Sequence, residues 1–353
     1  MQSARGTRLA TRFTMAGLVL LAPVVMAGEE GAFILHVPAR QIPVPATVSQ
    51  EVARLPAEPV PGVAVMPTTP EDWRAYQDAH NTRGAELTRK LAEQLGVTIE
   101  PAQVAGVSCF RVVPQDVPAA NEQRLILHVH GGAYVLNSGL SGAGEAVLLA
   151  DACKTRVRSV DYRVPPDHPF PAAPDDVLAV WKAVAAERDP HTVAIAGTSA
   201  GAGLIMTTML RVQELNLPRP AALFLGTPGA DLTKRGDSLF VNAEVDHQLG
   251  RYEGRAESCI KLYAAGRDLK DPLLSPLYGD LSGFPPTVLI SGTRDLLLSP
   301  TILTHRKLRA AGITAELHVY EGQSHADYLA AYPAPESRDA LREIAQFFDR
   351  HLK

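Results

Sequence analysis

Residues 192–212 read Thr-Val-Ala-Ile-Ala-Gly-Thr-Ser-Ala-Gly-Ala-Gly-Leu-Ile-Met-Thr-Thr-Met-Leu-Arg-Val. Thr192 to Ala196 is a short apolar run of the kind a buried strand has, and Ala200 to Val212 follows a helical pattern. Between them, Gly197-Thr198-Ser199-Ala200-Gly201 is G-x-S-x-G in a strand–turn–helix setting. Such a turn is sharp, and the flanking glycines carry no side chain to clash in it. Ser199 then stands at a helix N-terminus, whose partial positive charge favours a developing anion. The competing reading is the glycine turn of a nucleotide binder, built on Gly197, Gly201 and Gly203. The spacing is not G-x-G-x-x-G, no Lys-Ser/Thr follows for a phosphate loop, and no acid ends a following strand about 20 residues on. Ser199 is the candidate nucleophile.

Outward from this stretch, apolar runs and helical patterns alternate. Strands are expected at Val107–Val113, Leu125–Val129, Arg156–Val160, Ala221–Leu225, Thr287–Ile290 and Ala315–Tyr320. Helices are expected at Gly144–Ala152, Ala172–Ala186 and Thr301–Ala311, and a last one carries Leu341, Ile344, Phe348 and Leu352 on one face. Buried strands alternating with helices imply an α/β fold, a mainly parallel sheet covered on both faces. Residues 237–271 break the rhythm and read as an inserted, mostly helical piece. Upstream, residues 38–70 hold eight prolines, which exclude regular helix or a central strand. A helix then starts at Thr69-Pro70-Glu71-Asp72, carries Leu87, Leu91 and Leu95 at four-residue spacing, and stops at Gly96.

A serine nucleophile needs an oxyanion site, a base and an acid. The expected strand Leu125–Val129 runs into His130-Gly131-Gly132-Ala133-Tyr134. Glycines let backbone amides approach a substrate oxygen, so Gly131, Gly132 and Ala133, with Ala200 beside the serine, form the candidate oxyanion hole. His128 and His130 could share one face of a strand as zinc ligands, but no third ligand is close in sequence. His130 is read as orienting the loop by hydrogen bonding. With this motif the chain order is serine, acid, histidine. Asp295 follows the strand Thr287–Ile290, and His325 follows the strand Ala315–Tyr320 in a glycine-containing loop. Both fall at strand ends, where sites form on open α/β sheets. Of eleven histidines, only His325 has that position downstream of the acid. Asp231 is the second choice of acid, and a salt bridge to Arg294 is the structural alternative for Asp295.

These residues resemble the hormone-sensitive-lipase-like branch of the α/β-hydrolases, the bacterial esterases grouped as family IV. Asp161-Tyr-Arg-Val-Pro-Pro-Asp-His-Pro-Phe-Pro-Ala-Ala173 closely resembles that branch's D-Y-R-L-A-P-E-H-P-F-P-A-A segment. Asp271 to Pro286 looks like its approach to the acid-bearing strand, and the likeness runs from about Gln123 to Lys353. Three positions depart from the branch. Ala133 replaces the third glycine of H-G-G-G. Thr198 stands where Asp is frequent, as in a Gly-Thr-Ser-Ala-Gly subgroup. Ser299-Pro300 stands where another acid often follows. The resemblance implies an α/β-hydrolase fold with a mostly helical cap, made from the N-terminal region and the insertion near residues 237–271. It further implies hydrolysis of short- to medium-chain carboxylic esters, some of them lactones, without metal or organic cofactor. An amidase or polyester depolymerase with the same triad, and a catalytically silent ligand binder, are the alternatives.

The chain has 353 residues, net charge −4, 46% hydrophobic and 20% charged residues. That mix excludes global disorder, and the slight acidity offers no basic field for nucleic acid. The expected partner is a small ester; oligomeric state is not readable. Arg5, Arg8 and Arg12 precede the apolar run Met15–Val25, and Val25-Met26-Ala27 has the small or aliphatic residues of a cleavage site. These are the parts of an export leader. Eleven apolar residues interrupted by Pro23 are too few to cross a bilayer, which takes about 20. The expected division is a signal peptide over 1–27, a proline-rich arm and cap helix over 28–95, and a catalytic domain over 96–353, in an exported protein, periplasmic or extracellular. Cys109, Cys153 and Cys259 are read as buried small apolar residues, although an oxidising compartment would permit one disulfide.

Overall fold

A computed structural model of the chain describes residues 38–39, 41–55 and 65–353. The leader expected over residues 1–27 lies outside the described residues. The architecture that follows is that of the unit Pro43–Lys353.

Eight strands form one sheet: β1 (Thr98–Val104), β2 (Val107–Val113), β3 (Leu125–Val129), β4 (Arg156–Val160), β5 (Val193–Thr198), β6 (Ala222–Gly226), β7 (Thr287–Gly292) and β8 (Ala315–Tyr320). Their order is β1-β2-β4-β3-β5-β6-β7-β8. The β1–β2 and β2–β4 pairs are antiparallel; all pairs from β4 through β8 are parallel. Parallel neighbours end on the same side, so the loops after β3, β5, β6, β7 and β8 share one rim.

The central strands are buried on both faces, and successive residues feed two different cores. Leu125, Leu127, Ile195, Leu223, Leu225 and Leu289 point to one core, with helices Ala172–Glu187 and Ala200–Glu214. Ile126, Ala194, Phe224, Val288 and Ile290 point to the other, with helices Gly144–Cys153 and Pro335–His351. In the last helix Leu341, Ile344, Phe347 and Phe348 are all buried.

Three differences from the sequence reading have physical causes. Strand β1 was not expected, because it contains Pro101 and buries only Val104. It is an outer strand paired on one side alone, where proline is tolerated. The helix Pro70–Leu95 is capped as expected, with Thr69 Oγ1 accepting from Asp72 N at 3.2 Å and Gly96 at φ 64°. Its inward face differs, however: Trp73, Gln77, Thr88 and Ala92 are buried, while Leu87 is 58% exposed. Gln77 settles there because its Nε2 donates to the carbonyls of Val135 (2.7 Å) and Pro165 (2.6 Å). Finally, the stretch 237–271 is less regular than a mostly helical piece. It holds two short α-helices, Ser238–Val241 and Glu257–Ala264, and Gly254 at φ 92° breaks the segment before the second.

The three cysteines are free thiols. Burial pushes Cys109 up to about 11 and Cys153 and Cys259 up to about 12, which keeps them as unreactive thiols. No helix among the described residues is long and apolar enough to cross a membrane.

Candidate active site

Ser199 lies between β5 and the helix Ala200–Glu214 with φ 60° and ψ −121°, a conformation rare for a residue with a Cβ. Main-chain bonds hold it there. Ser199 N donates to Gly226 O at 2.8 Å, and Ser199 O accepts from Gly203 N (3.1 Å) and Gly229 N (2.9 Å). A Cβ on Gly201 would sit 2.7 Å from the His130 carbonyl oxygen, and closer still to that of Val129. The turn is therefore pressed onto the end of β3, which only a glycine allows.

Asp295 and His325 come to the same rim from the loops after β7 and β8. His325 Nε2 is 2.9 Å from Ser199 Oγ, and His325 Nδ1 is 3.1 Å from Asp295 Oδ1. With Nδ1–H donating to the carboxylate, Nε2 is left to accept from the serine hydroxyl. Asp295 is fully buried. Besides the imidazole it accepts from Leu297 N (2.7 Å), Ser291 Oγ (2.7 Å) and Thr227 Oγ1. Burial alone would raise its pKa, but His325 and these donors outweigh it and hold the carboxyl below its ordinary value. For His325, burial disfavours the charged ring, yet the charges of Asp295, Asp246 and Asp327 prevail and hold its pKa above 6.5.

The loop after β3 supplies the amides. Gly132 has φ 114°, and a Cβ there would lie 2.5 Å from Leu136 O. Ala133 has φ 52°, the left-handed region that suits glycine, so replacing the family's third glycine costs conformational ease but keeps the N–H. The amides of Gly131, Gly132, Ala133 and Ala200 donate to no acceptor among the described residues. Gly131 also allows close approach, since a Cβ on it would lie 2.9 Å from Thr198 O. His130 does bond within its loop, from Nδ1 to Gly131 O at 2.8 Å. Its ring stacks on Tyr162 at 4.0 Å, and burial pushes its pKa down to about 3.

The other sequence candidates are placed elsewhere. Asp231 accepts from Thr233 and Tyr278 rather than from His325. His128 contacts Ser159 Oγ (2.9 Å) and Glu145 Oε2 (3.1 Å). Among the described residues there is no group of three His, Cys, Asp or Glu arranged to hold a metal ion. Arg294 donates to Pro43 O, not to Asp295. Sequence reasoning missed Thr227, Ser291 and Asp246 around the acid, and the buried set beneath the serine. There Thr198 Oγ1 donates to Glu145 Oε1 at 2.5 Å and lies 2.5 Å from the Tyr328 hydroxyl. The departure at Thr198 was the one signal that pointed to that set.

Two clefts meet at Ser199. One, of about 580 Å³, is walled by Leu232, Leu239, Leu249, Tyr252, Ile260 and Leu296. The other, of about 1080 Å³, is more polar, with His80, Asn137, Glu145, Arg255 and His325 in its walls. An anion-stabilising corner, a hydroxyl–imidazole–carboxylate chain and an apolar slot suit attack on an ester carbonyl.

The family described as having the alpha/beta hydrolase fold matches residues 126–329. An esterase of Acinetobacter venetianus is 32% identical over 265 residues, covering 74% of this chain and 85% of that protein. The solved structure of an esterase, E25, is 44% identical with a TM-score of 0.88, covering 91% of this chain and 99% of that one. A solved esterase from the bacterial hormone-sensitive lipase family is 28% identical with a TM-score of 0.69, covering 82% of this chain and all of that one. The chain belongs to the α/β-hydrolases, in their hormone-sensitive-lipase-like branch, and it is a carboxylic ester hydrolase.

Proposed function

We propose that the protein is a serine carboxylesterase that hydrolyses short- to medium-chain esters, lactones among them, through an acyl-enzyme. The observation that carries this reading is the 2.9 Å approach of His325 Nε2 to Ser199 Oγ, with Asp295 behind the ring. Ser199 Oγ attacks the ester carbonyl while His325 takes its proton. Asp295 keeps the ring in the right tautomer and stabilises its charged form. The amides of Gly132, Ala133 and Ala200 receive the oxyanion, each worth about 3 kcal/mol in the transition state. His325 then gives its proton to the leaving alcohol, and in the second half it activates water to release the acid.

The walls of the smaller cleft, Leu232, Leu239, Leu249 and Ile260 among them, support an apolar acyl group beside Ser199. Leu239, Leu249 and Tyr252 support the reading of the insertion as one part of a cap, and His80 supports the helix Pro70–Leu95 as the other. Residues 1–27 are read as an export leader, on their arginines and short apolar core, which makes this a periplasmic or extracellular enzyme.

A sulfonyl fluoride tests the mechanism, because Oγ displaces fluoride only when His325 can accept its proton. The expected result is one adduct, on Ser199, with loss of hydrolysis of p-nitrophenyl butyrate. Labelling should slow on the acid side with a midpoint above pH 6.5, since His325 must be neutral to act and its pKa is raised. Adducts elsewhere with Ser199 unmodified would overturn the assignment. In an ester series, p-nitrophenyl palmitate should be turned over far more slowly than the butyrate.

A further inference from the structure

Ser238 starts the short helix Ser238–Val241, Asn242 caps its end, and Asp246 follows in the turn beyond Glu244, which has φ 65°. Each is polar and each is buried, with exposures of 3%, 9% and 0%. All three bond to the backbone of the loop that bears Asp295. Ser238 Oγ donates to Leu296 O (2.6 Å) and accepts from Ser299 N (2.9 Å). Asn242 Nδ2 donates to Thr293 O (3.2 Å) and to Asp295 O itself (2.9 Å). Asp246 Oδ2 accepts from Leu296 N (2.9 Å), and its Oδ1 accepts from Gln248 N (2.9 Å) and Leu249 N (3.0 Å).

We propose that this set is a brace for the acid loop, and that Asp246, as a carboxylate, is a positioning residue for the Asp295–His325 pair. This rests on the serine-esterase reading and extends it. A buried carboxylate is costly unless its oxygens are bonded, and here every bond comes from a main-chain N–H. Burial and the nearby Asp295 charge raise the Asp246 pKa, and the three main-chain donors and the His325 ring work against that rise and favour the carboxylate.

The residues that follow reach the base loop. Ser324 Oγ is 2.9 Å from His247 Nδ1, and Gln248 Nε2 donates to Asp327 Oδ1 at 3.1 Å. One segment of the insertion thus fixes both loops that must meet at Ser199, and its next residue, Leu249, lines both clefts. The charged groups around His325 are Asp295 from the acid loop, Asp246 from the insertion and Asp327 from the base loop. His247 lies 3.1 Å from Asp327. Asp246 therefore acts on the base in two ways, through the position of Leu296 and through its charge.

The test compares full-length wild-type enzyme with Asp246→Asn and Asn242→Ala on p-nitrophenyl butyrate across pH, alongside sulfonyl fluoride labelling and thermal melts. Asp246→Asn must turn an NH2 toward an N–H donor. It should lower kcat roughly 10- to 100-fold, the scale of a misplaced catalytic group, with KM changed by less than about threefold. The acid limb should move to lower pH, because a negative charge beside His325 is gone. Asn242→Ala removes two donors and no charge, so kcat should fall without that movement. If Asp246→Asn does not fold, Asn242→Ala decides alone by its kcat against KM. Wild-type kcat in folded variants, or a loss that merely follows the unfolded fraction, overturns the brace. Failure of the wild-type enzyme itself to be labelled at Ser199 would instead overturn the serine-esterase reading.

Discussion

Ser199→Ala is expected to lower ester hydrolysis by roughly 10⁴- to 10⁶-fold while leaving the fold intact. Among the described residues the Ser199 hydroxyl is the one bonded to His325 Nε2, and that is its one side-chain bond. Everything that holds the residue at φ 60° is main chain: its N–H to Gly226 O, and its carbonyl to Gly203 N and Gly229 N. Alanine keeps all three bonds and has no bulk to lodge. Initial rates with p-nitrophenyl butyrate and a thermal melt check both halves. The residue of activity should come from the amides of Gly132, Ala133 and Ala200, which still polarise a bound carbonyl. Turnover near wild type would place the nucleophile elsewhere.

His325→Ala should cost a comparable factor, about 10⁴-fold or more in kcat/KM, because among the described residues no second base bonds Ser199 Oγ. His130 is close but is held neutral, with its Nδ1 bonded to Gly131 O. His247 is occupied by Ser324 and Asp327. Asp295 would lose the imidazole yet retain Leu297 N, Ser291 Oγ and Thr227 Oγ1, so its buried charge stays bonded and the fold should survive. A second signature separates a lost base from a lost shape. The small rate that remains should have no acid limb between pH 6 and 8 (approximate bounds set by the histidine range), because the titrating group is gone. A persistent limb there would mean that another group controls the profile.

Much of this site could be read from the chain because chemistry confines it to strand ends. A strand, a glycine turn and a helix in succession identify Ser199, and the same logic leads to Asp295 after β7 and His325 after β8. The groups that support them carry no such local mark. Thr227 is 68 residues from Asp295, and Asp246 is 50 residues from Leu296; only the folded sheet joins them. The four-residue spacing of Ser238, Asn242 and Asp246 is present in the sequence, but polar residues at helical spacing are the ordinary mark of a solvated face. Nothing local announces that these three side chains turn inward. Leu87 is the converse, an apolar residue at helical spacing that faces water because the inward side of its helix is set by Trp73, Gln77 and Ala92. Strand β1 escaped because an edge position relaxes the hydrophobic alternation by which strands are recognised.

The ring of His130, shut between Tyr162 and the loop it shapes, also bears on how the molecule endures acidity. An unfolded chain takes up a proton there near pH 6.5, whereas the native form refuses it until about 3. Across that interval each unit of falling pH favours the denatured ensemble by about 1.4 kcal/mol. His325 pulls the other way, since its raised affinity for a proton strengthens the native form in acid and that benefit fades as pH climbs through its own value. The same imidazole that keeps the oxyanion corner in shape thus burdens the enzyme in sour surroundings, in partial opposition to its neighbour across the cleft.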